Sequence, residues 1–155
     1  MQVPLLLVYA RGGVKKQSTP APVPVDKTAL DAALVDASEY AESEHSTGSW
    51  APFQSARDAA DTVNNDPEAT QQQVDDAYNA LIIAQSNLVY IASLANAVSA
   101  AAALVEEDYT PESWTVFASA LTNAQGVLAD ADTTQTAVSD ALTALNTAQN
   151  DLITV

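Results

Sequence analysis

His45 is the only histidine in the chain, and there is no cysteine. A nucleophile–base pair or a His/Cys metal site needs partners that this sequence does not supply. His45 sits 64 residues before Tyr109, at the matching place of an internal repeat, and is expected to pack in a loop. Glu106-Glu107-Asp108 places three carboxylates in a row, the raw material of acid–base work. No supporting group accompanies them, so a helix end before a capped helix is the better reading. Asp130 and Asp132, and Asn64-Asn65-Asp66 with Glu68, offer oxygen ligands of the kind calcium takes. Neither stretch has the spacing of a twelve-residue calcium loop, and capping of the following helix accounts for them. Trp50 and Trp114 have faces on which sugars stack, but each keeps step with a phenylalanine, Phe53 or Phe117, as core residues do. Gly12-Gly13 lacks the strand–helix context and the Lys-Ser/Thr of a phosphate loop. The sequence therefore predicts no catalytic residue, no metal and no cofactor, and it singles out no ligand-binding residue.

Charge narrows the partners. All twenty acidic residues lie at or beyond Asp26, where only Lys27 and Arg57 are basic. Such a surface repels phosphate, which argues against nucleic acid and anionic membrane. No apolar run approaches the ~20 residues of a membrane span. The short run Val3–Ala10 has its basic residues, Arg11, Lys15 and Lys16, behind it rather than ahead, the reverse of a signal peptide. Ser18–Pro24 alternates prolines and is expected to be extended. Residues 1–25 are thus read as a tail or linker. The end at Thr154-Val155, without a sorting motif, suits a piece of a longer chain.

The elements that would position these residues repeat. Shifted by 64, the chain superposes on itself without a gap, and 22 of the 60 positions from Leu30 to Val89 are identical. The matches recur every three or four residues, so the repeated object is a helical core pattern. In unit one the stripes are Leu30, Ala33, Leu34, Ala37, Tyr40; then Trp50, Phe53, Ala56, Ala60, Val63; then Val74, Ala77, Tyr78, Leu81, Ala84, Leu88. Three amphipathic helices in about 60 residues make an antiparallel bundle.

Capping signals mark the boundaries. Thr110-Pro111-Glu112 reads as an N-cap, a first-turn proline and an early acid. Tyr109 and Trp114 are spaced as a hydrophobic staple, as are Val25 and Leu30 about Asp26, and Thr70 with Gln73 as a capping box. In unit one Gly48 stands where Glu112 does, and Pro52 places the start of the second helix near Ser49.

The expected fold is all-α: two tandem antiparallel three-helix bundles, residues 26–90 and 91–155. Thr70 to Asp108 contains neither Pro nor Gly. One continuous helix, about 70–107, is therefore expected to join them, spanning about 55 Å. That geometry brings the loop near His45–Ser49 close to the loop near Leu128–Thr133, with Tyr90 and Ile91 filling the junction. Ile82 and Ile83, opposite Asn146 and Thr147 of unit two, either widen the core or expose an apolar patch.

Tyr109-Thr-Pro-Glu-Ser-Trp114, with Ala120-Leu121, Val127-Leu128, Thr134-Gln135, Val138, Ala141-Leu142 and Leu145, resembles the FIVAR module, "found in various architectures". Unit one matches at Ser49-Trp50, Ala69-Thr70-Gln71, Val74 and Ala77, and departs at His45-Ser46, where the family shows Tyr-Thr. The resemblance covers residues 26–155 as two copies. It implies a secreted or cell-wall-associated bacterial protein in which such modules are non-catalytic spacers or binding modules, with glycans or host matrix proteins as partners. The expected function is a semi-rigid stalk with adhesion to glycan or matrix, monomeric as a module. The alternative is a carbohydrate-binding accessory of a secreted glycoside hydrolase or polysaccharide lyase.

Overall fold

The computed structural model describes residues 24–155. The tail reading for residues 1–25, with Gly12-Gly13, falls almost wholly outside them. Among the described residues there are six α-helices and no strand. They are α1 (Thr28–Ala37), α2 (Thr47–Asn65), α3 (Gln71–Ser86), α4 (Ala92–Ala101), α5 (Pro111–Ala129) and α6 (Gln135–Asn150). Short 3-10 turns at Glu42–Glu44 and Glu106–Asp108 follow the first helix of each unit.

Each trio closes on its own apolar core. Unit one buries Leu30, Trp50, Phe53, Val74 and Leu81 between α1, α2 and α3. Unit two buries Leu94, Phe117, Val138 and Leu145 between α4, α5 and α6. Phe53 and Phe117, 64 apart, are both completely buried. Buried alanines complete the stripes, among them Ala33, Ala37 and Ala60 in unit one and Ala101, Ala124 and Ala141 in unit two. A methyl side chain lets helix backbones approach closely while leaving few voids. It is why an alanine-rich chain can fill so thin a bundle.

Local chemistry starts the helices. Thr70 and Gln73 form the reciprocal capping box: the Gln73 N–H donates to Thr70 Oγ1, and the Thr70 N–H donates to Gln73 Oε1. Thr134 caps α6 through the Ala137 N–H. The caps of α3 and α6 are therefore these threonines. The aspartates ahead of them bend the loop instead, Asp66 Oδ1 accepting from the Glu68 N–H at 2.8 Å and Asp130 Oδ1 from the Asp132 N–H at 3.0 Å. Asp26 does the same at the start of α1. Hydrogen bonds from the Thr28 hydroxyl and then its N–H hold the Asp26 carboxyl below its usual range.

Lys27 terminates α2 from a distance. Its ammonium donates to the carbonyl oxygens of Val63 (3.2 Å), Asn64 (2.7 Å) and Asp66 (2.6 Å). Val63 and Asn64 are in the last turn, whose carbonyls have no intrahelical donors, and Asp66 is the residue that caps it. Lys27→Met should therefore destabilise unit one by about 1–2 kcal/mol, the lower range for a charged hydrogen bond that is partly solvated. Urea unfolding followed by Trp50 fluorescence measures this, and an unchanged midpoint would show that water replaces the lysine.

Two expectations are corrected. The connecting helix is not continuous. Helix α3 ends at Ser86, and α4 starts only at Ala92 and ends at Ala101. Every residue between is compatible with a helix, but the backbone there is bonded elsewhere. The Ser46 N–H donates to Val89 O (2.9 Å), and the Ile91 N–H donates to Glu44 O (2.8 Å), making an antiparallel bridge of His45 with Tyr90. Tertiary hydrogen bonds have replaced the helical ladder. The second correction is the start of α2, which is Thr47 rather than Ser49. The Ser46 carbonyl accepts from the N–H groups of both Ser49 and Trp50, and Ser49 Oγ also donates to it. The first turn is thereby closed two residues earlier, and Pro52 lies inside the helix just past that turn.

Charge is nearly uncompensated. The ion pair found among the described residues, Arg57 with Asp58 at 3.9 Å, is long and has its carboxylate in solvent, so it contributes little. Moderate NaCl should raise the melting temperature of the bundles by screening this acidic surface, with KCl equally effective. A rise specific to calcium at matched ionic strength would contradict that account.

Candidate functional site

The junction of the units and a groove beside Trp114 both combine polar groups with shape. The junction is built from the loop that precedes α2. His45 is buried there, its Nδ1 2.8 Å from Ala41 O. Its ring stacks on Trp50 (5.7 Å, 22°) and meets Tyr40 and Tyr90 edge-on. This is a packing hub, with no carboxylate among the partners that would poise the imidazole for proton transfer.

The extended segment Val89–Ile91 belongs to both units. Its backbone pairs with Glu44 and Ser46 of unit one, while the side chains of Val89 and Ile91 pack against the core of unit two. Tyr90 was expected to fill the junction with Ile91; its side chain is 43% exposed, and Val89 takes that place. In an extended segment alternate side chains face opposite ways, so Tyr90 cannot share the face of its neighbours. Gln135, at the start of α6, clamps Tyr90 by accepting from its N–H (2.9 Å) and donating to its carbonyl (3.3 Å).

A direct bond then joins the two bundles. The Gly48 N–H donates to Ala131 O at 3.0 Å. Gly48 is in the first turn of α2, whose N–H groups have no helical acceptor. The loop before α2 thus meets the loop after α5, the approach expected of a continuous connecting helix, although a broken chain brings them together. A Cβ on Gly48 would lie 2.2 Å from Ala131 O, so only glycine admits this approach.

The two tryptophans differ. Trp50 is buried, and its Nε1 has no hydrogen-bond partner. Trp114 packs on the unit-two core, is stapled by Tyr109 (5.8 Å, 13°) and remains half-buried. Its open side borders a shallow groove with Glu106, Thr115, Ser119, Thr122 and Asn123. The hydroxyls of Thr115, Ser119 and Thr122 each donate to the carbonyl four residues back. The groove thus gathers hydroxyl oxygens with lone pairs left over, a carboxylate at Glu106 and an amide at Asn123 beside the indole. In unit one the matching positions include Ala51, Asp58 and Ala59, so the groove is not repeated there.

Of the remaining candidates, Glu106 borders that groove and Asp132 lines the junction. Glu106, Glu107 and Asp108 form an exposed 3-10 turn rather than the end of a helix. Asp130 and Asp132 sit in the loop after α5; Asn64 and Asn65 are the last residues of α2, and Asp66 and Glu68 lie in the loop after it. Among the described residues no three His, Asp or Glu side chains converge as metal ligands. Ile82 and Ile83 are 40% and 61% exposed, which removes the core-widening alternative. Gly48 was visible as the odd residue opposite Glu112, but only the Ala131 carbonyl explains it.

Fold and junction define a tandem array of three-helix modules coupled end to end. The chain belongs to the FIVAR domain family, whose model matches residues 26–89 and again 91–152. A lacto-N-biosidase of Bifidobacterium longum subsp. longum is 52% identical over 62 residues, 40% of this chain and 4% of that protein. A polysaccharide lyase 8 family protein, HylA, of Enterococcus faecalis is 31% identical over 138 residues, 84% of this chain and 10% of that protein. The chain spans a tenth or less of the length of these curated relatives. No solved structure matches it significantly.

Proposed function

We propose that the chain is a non-catalytic, semi-rigid spacer of an extracellular bacterial protein, an accessory that holds a carbohydrate-acting domain at a set distance from its anchor. The observation that carries this reading is the junction. The segment Val89–Ile91 is bonded to one bundle and packed into the other, and Gly48 closes the contact at Ala131. Flexible linkers have neither feature, being rich in Gly or Ser and free of tertiary bonds. The two named relatives, a biosidase and a polysaccharide lyase, support the accessory role and a secreted or wall-associated location. Because the chain lacks cysteine, spin labels can be placed singly at Asn79→Cys and Thr143→Cys. One narrow distance peak is expected, broadening when two glycines are inserted after Tyr90. An equally broad distribution before the insertion would mean freely swinging modules.

The groove at Trp114 favours a second role, contact with neutral sugar chains. A half-buried indole flanked by hydroxyl, carboxylate and amide groups offers apolar contact and hydrogen-bond partners for sugar hydroxyls. The acidic surface disfavours uronate or sulfated polymers. The chain should therefore be retarded in native gels by neutral polysaccharides more than by acidic ones. The reverse order would remove the groove as a sugar site. Host matrix protein, the other partner expected from the sequence, has no comparable surface feature behind it.

A further inference from the structure

The repeat places a second copy of the junction face at the far end of unit two. In unit one that face is formed by Gly48, Ser49, Pro52, Ala84, Asn87 and Val89, and the Ala131–Thr133 loop of unit two sits against it. Adding 64 to each gives Glu112, Ser113, Val116, Ala148, Asp151 and Ile153, which line an open apolar hollow. The backbone around it is set identically. The Thr110 N–H donates to Ile153 O, the Val155 N–H to Asp108 O, and the Ile153 N–H to Ser113 Oγ. Each of these is the 64-residue image of a bond at the junction: Ser46 to Val89, Ile91 to Glu44, and Val89 to Ser49. Ile153 is 61% exposed and Val116 is 62% exposed. The hollow therefore has the shape and chain direction of a docking face for another three-helix module.

One residue differs decisively. At Gly48 an added Cβ would meet Ala131 O at 2.2 Å, Ala131 C at 2.9 Å and Asp132 Oδ1 at 3.0 Å. Two of those atoms are backbone, held by the Asp130 turn and the Thr134 cap. A glutamate there would also set its carboxylate against Asp132, and like charges repel.

We propose that the residue at this position decides whether successive modules lock: Gly48 makes the first joint stiff, and Glu112 makes the end face of unit two a loose joint for any module of this type placed after it. The idea rests on the spacer reading, since it explains how stiffness is set joint by joint.

The test uses labels at Asn79→Cys and Thr143→Cys, which are themselves 64 apart. In the full chain, Gly48→Ala and Gly48→Glu should turn the narrow peak into a broad distribution. Gly48→Ala should do so while lowering the melting temperature of unit one by no more than the contribution of the joint, because alanine is the better helix residue. A peak that stays narrow in both variants overturns the proposal while leaving the spacer reading intact. A parent chain that is already broad removes the spacer reading, and this proposal with it. A second arm extends the chain after Val155 with a repeat of residues 92–155, labelled at Thr143→Cys and at its counterpart in the added copy. That distance should be broad with Glu112 and narrow in Glu112→Gly. A narrow peak with Glu112, or a broad one with glycine, overturns the proposal.

Discussion

Trp50→Ala is expected to destabilise unit one by about 3–5 kcal/mol, the range for removing a large buried aromatic. Trp50 is 6% exposed and packs against Phe53 at 5.1 Å and His45 at 5.7 Å. Truncation would leave a cavity under His45 and so loosen the loop that holds Val89–Ile91. One term acts the other way. The indole N–H is buried without a partner, and its removal relieves a desolvation cost. The loss should therefore fall toward the lower end of the range. Trp114→Ala, from a half-buried site, should cost clearly less, about 1–3 kcal/mol, and should remove any retardation by neutral polysaccharide. Equal losses of stability in both variants, with retardation intact in Trp114→Ala, would refute the assignment of different roles.

Phe117→Ala should cost unit two about 3–5 kcal/mol by the same cavity argument. Its ring is fully buried and lies 5.1 Å from that of Trp114. The loss should be confined largely to unit two. The cores are separate clusters, and buried residues of one do not pack into the other. Their shared part is the half-buried segment at Val89–Ile91 and the Gly48 bond. Calorimetry should show one transition moving down by many degrees while the other moves only by the contribution of the joint. A single transition that shifts as a whole would mean that the units fold as one cooperative body.

The residues explain which features the sequence exposed. Repeat, cores and caps are local or periodic: Phe53 and Phe117 lie on stripes of period 3.6, and Thr70 needs only Gln73 to form its box. The Tyr109–Trp114 staple likewise involves neighbours on one turn. The break at Asn87–Ile91 has no such signal. Gly, Pro and positive φ are all absent there, and the helix stops because Glu44 and Ser46, more than forty residues earlier, bond its backbone. Propensity sums cannot register a competitor of that kind. Gly48 shows the same limit, since its need for a bare Cα is set by a carbonyl in the other unit. The groove at Trp114 was obscured because Trp50 and Trp114 share a repeat position. Both rings are stacked alike, by His45 and by Tyr109, so the repeat carries no signal for the burial of Trp50 and the half-burial of Trp114.

Amide hydrogen exchange at two equivalent positions tests the joint most directly. Gly48 and Glu112 both occupy the second position of a helix, where no intrahelical acceptor exists. Gly48 donates to Ala131 O across the junction, whereas Glu112 has no such acceptor among the described residues. Docking of the two modules should therefore protect the Gly48 amide and leave the Glu112 amide exchanging at nearly the free-peptide rate. Exchange at Gly48 as fast as at Glu112 would mean that the modules are not held together, and the semi-rigid spacer would be contradicted.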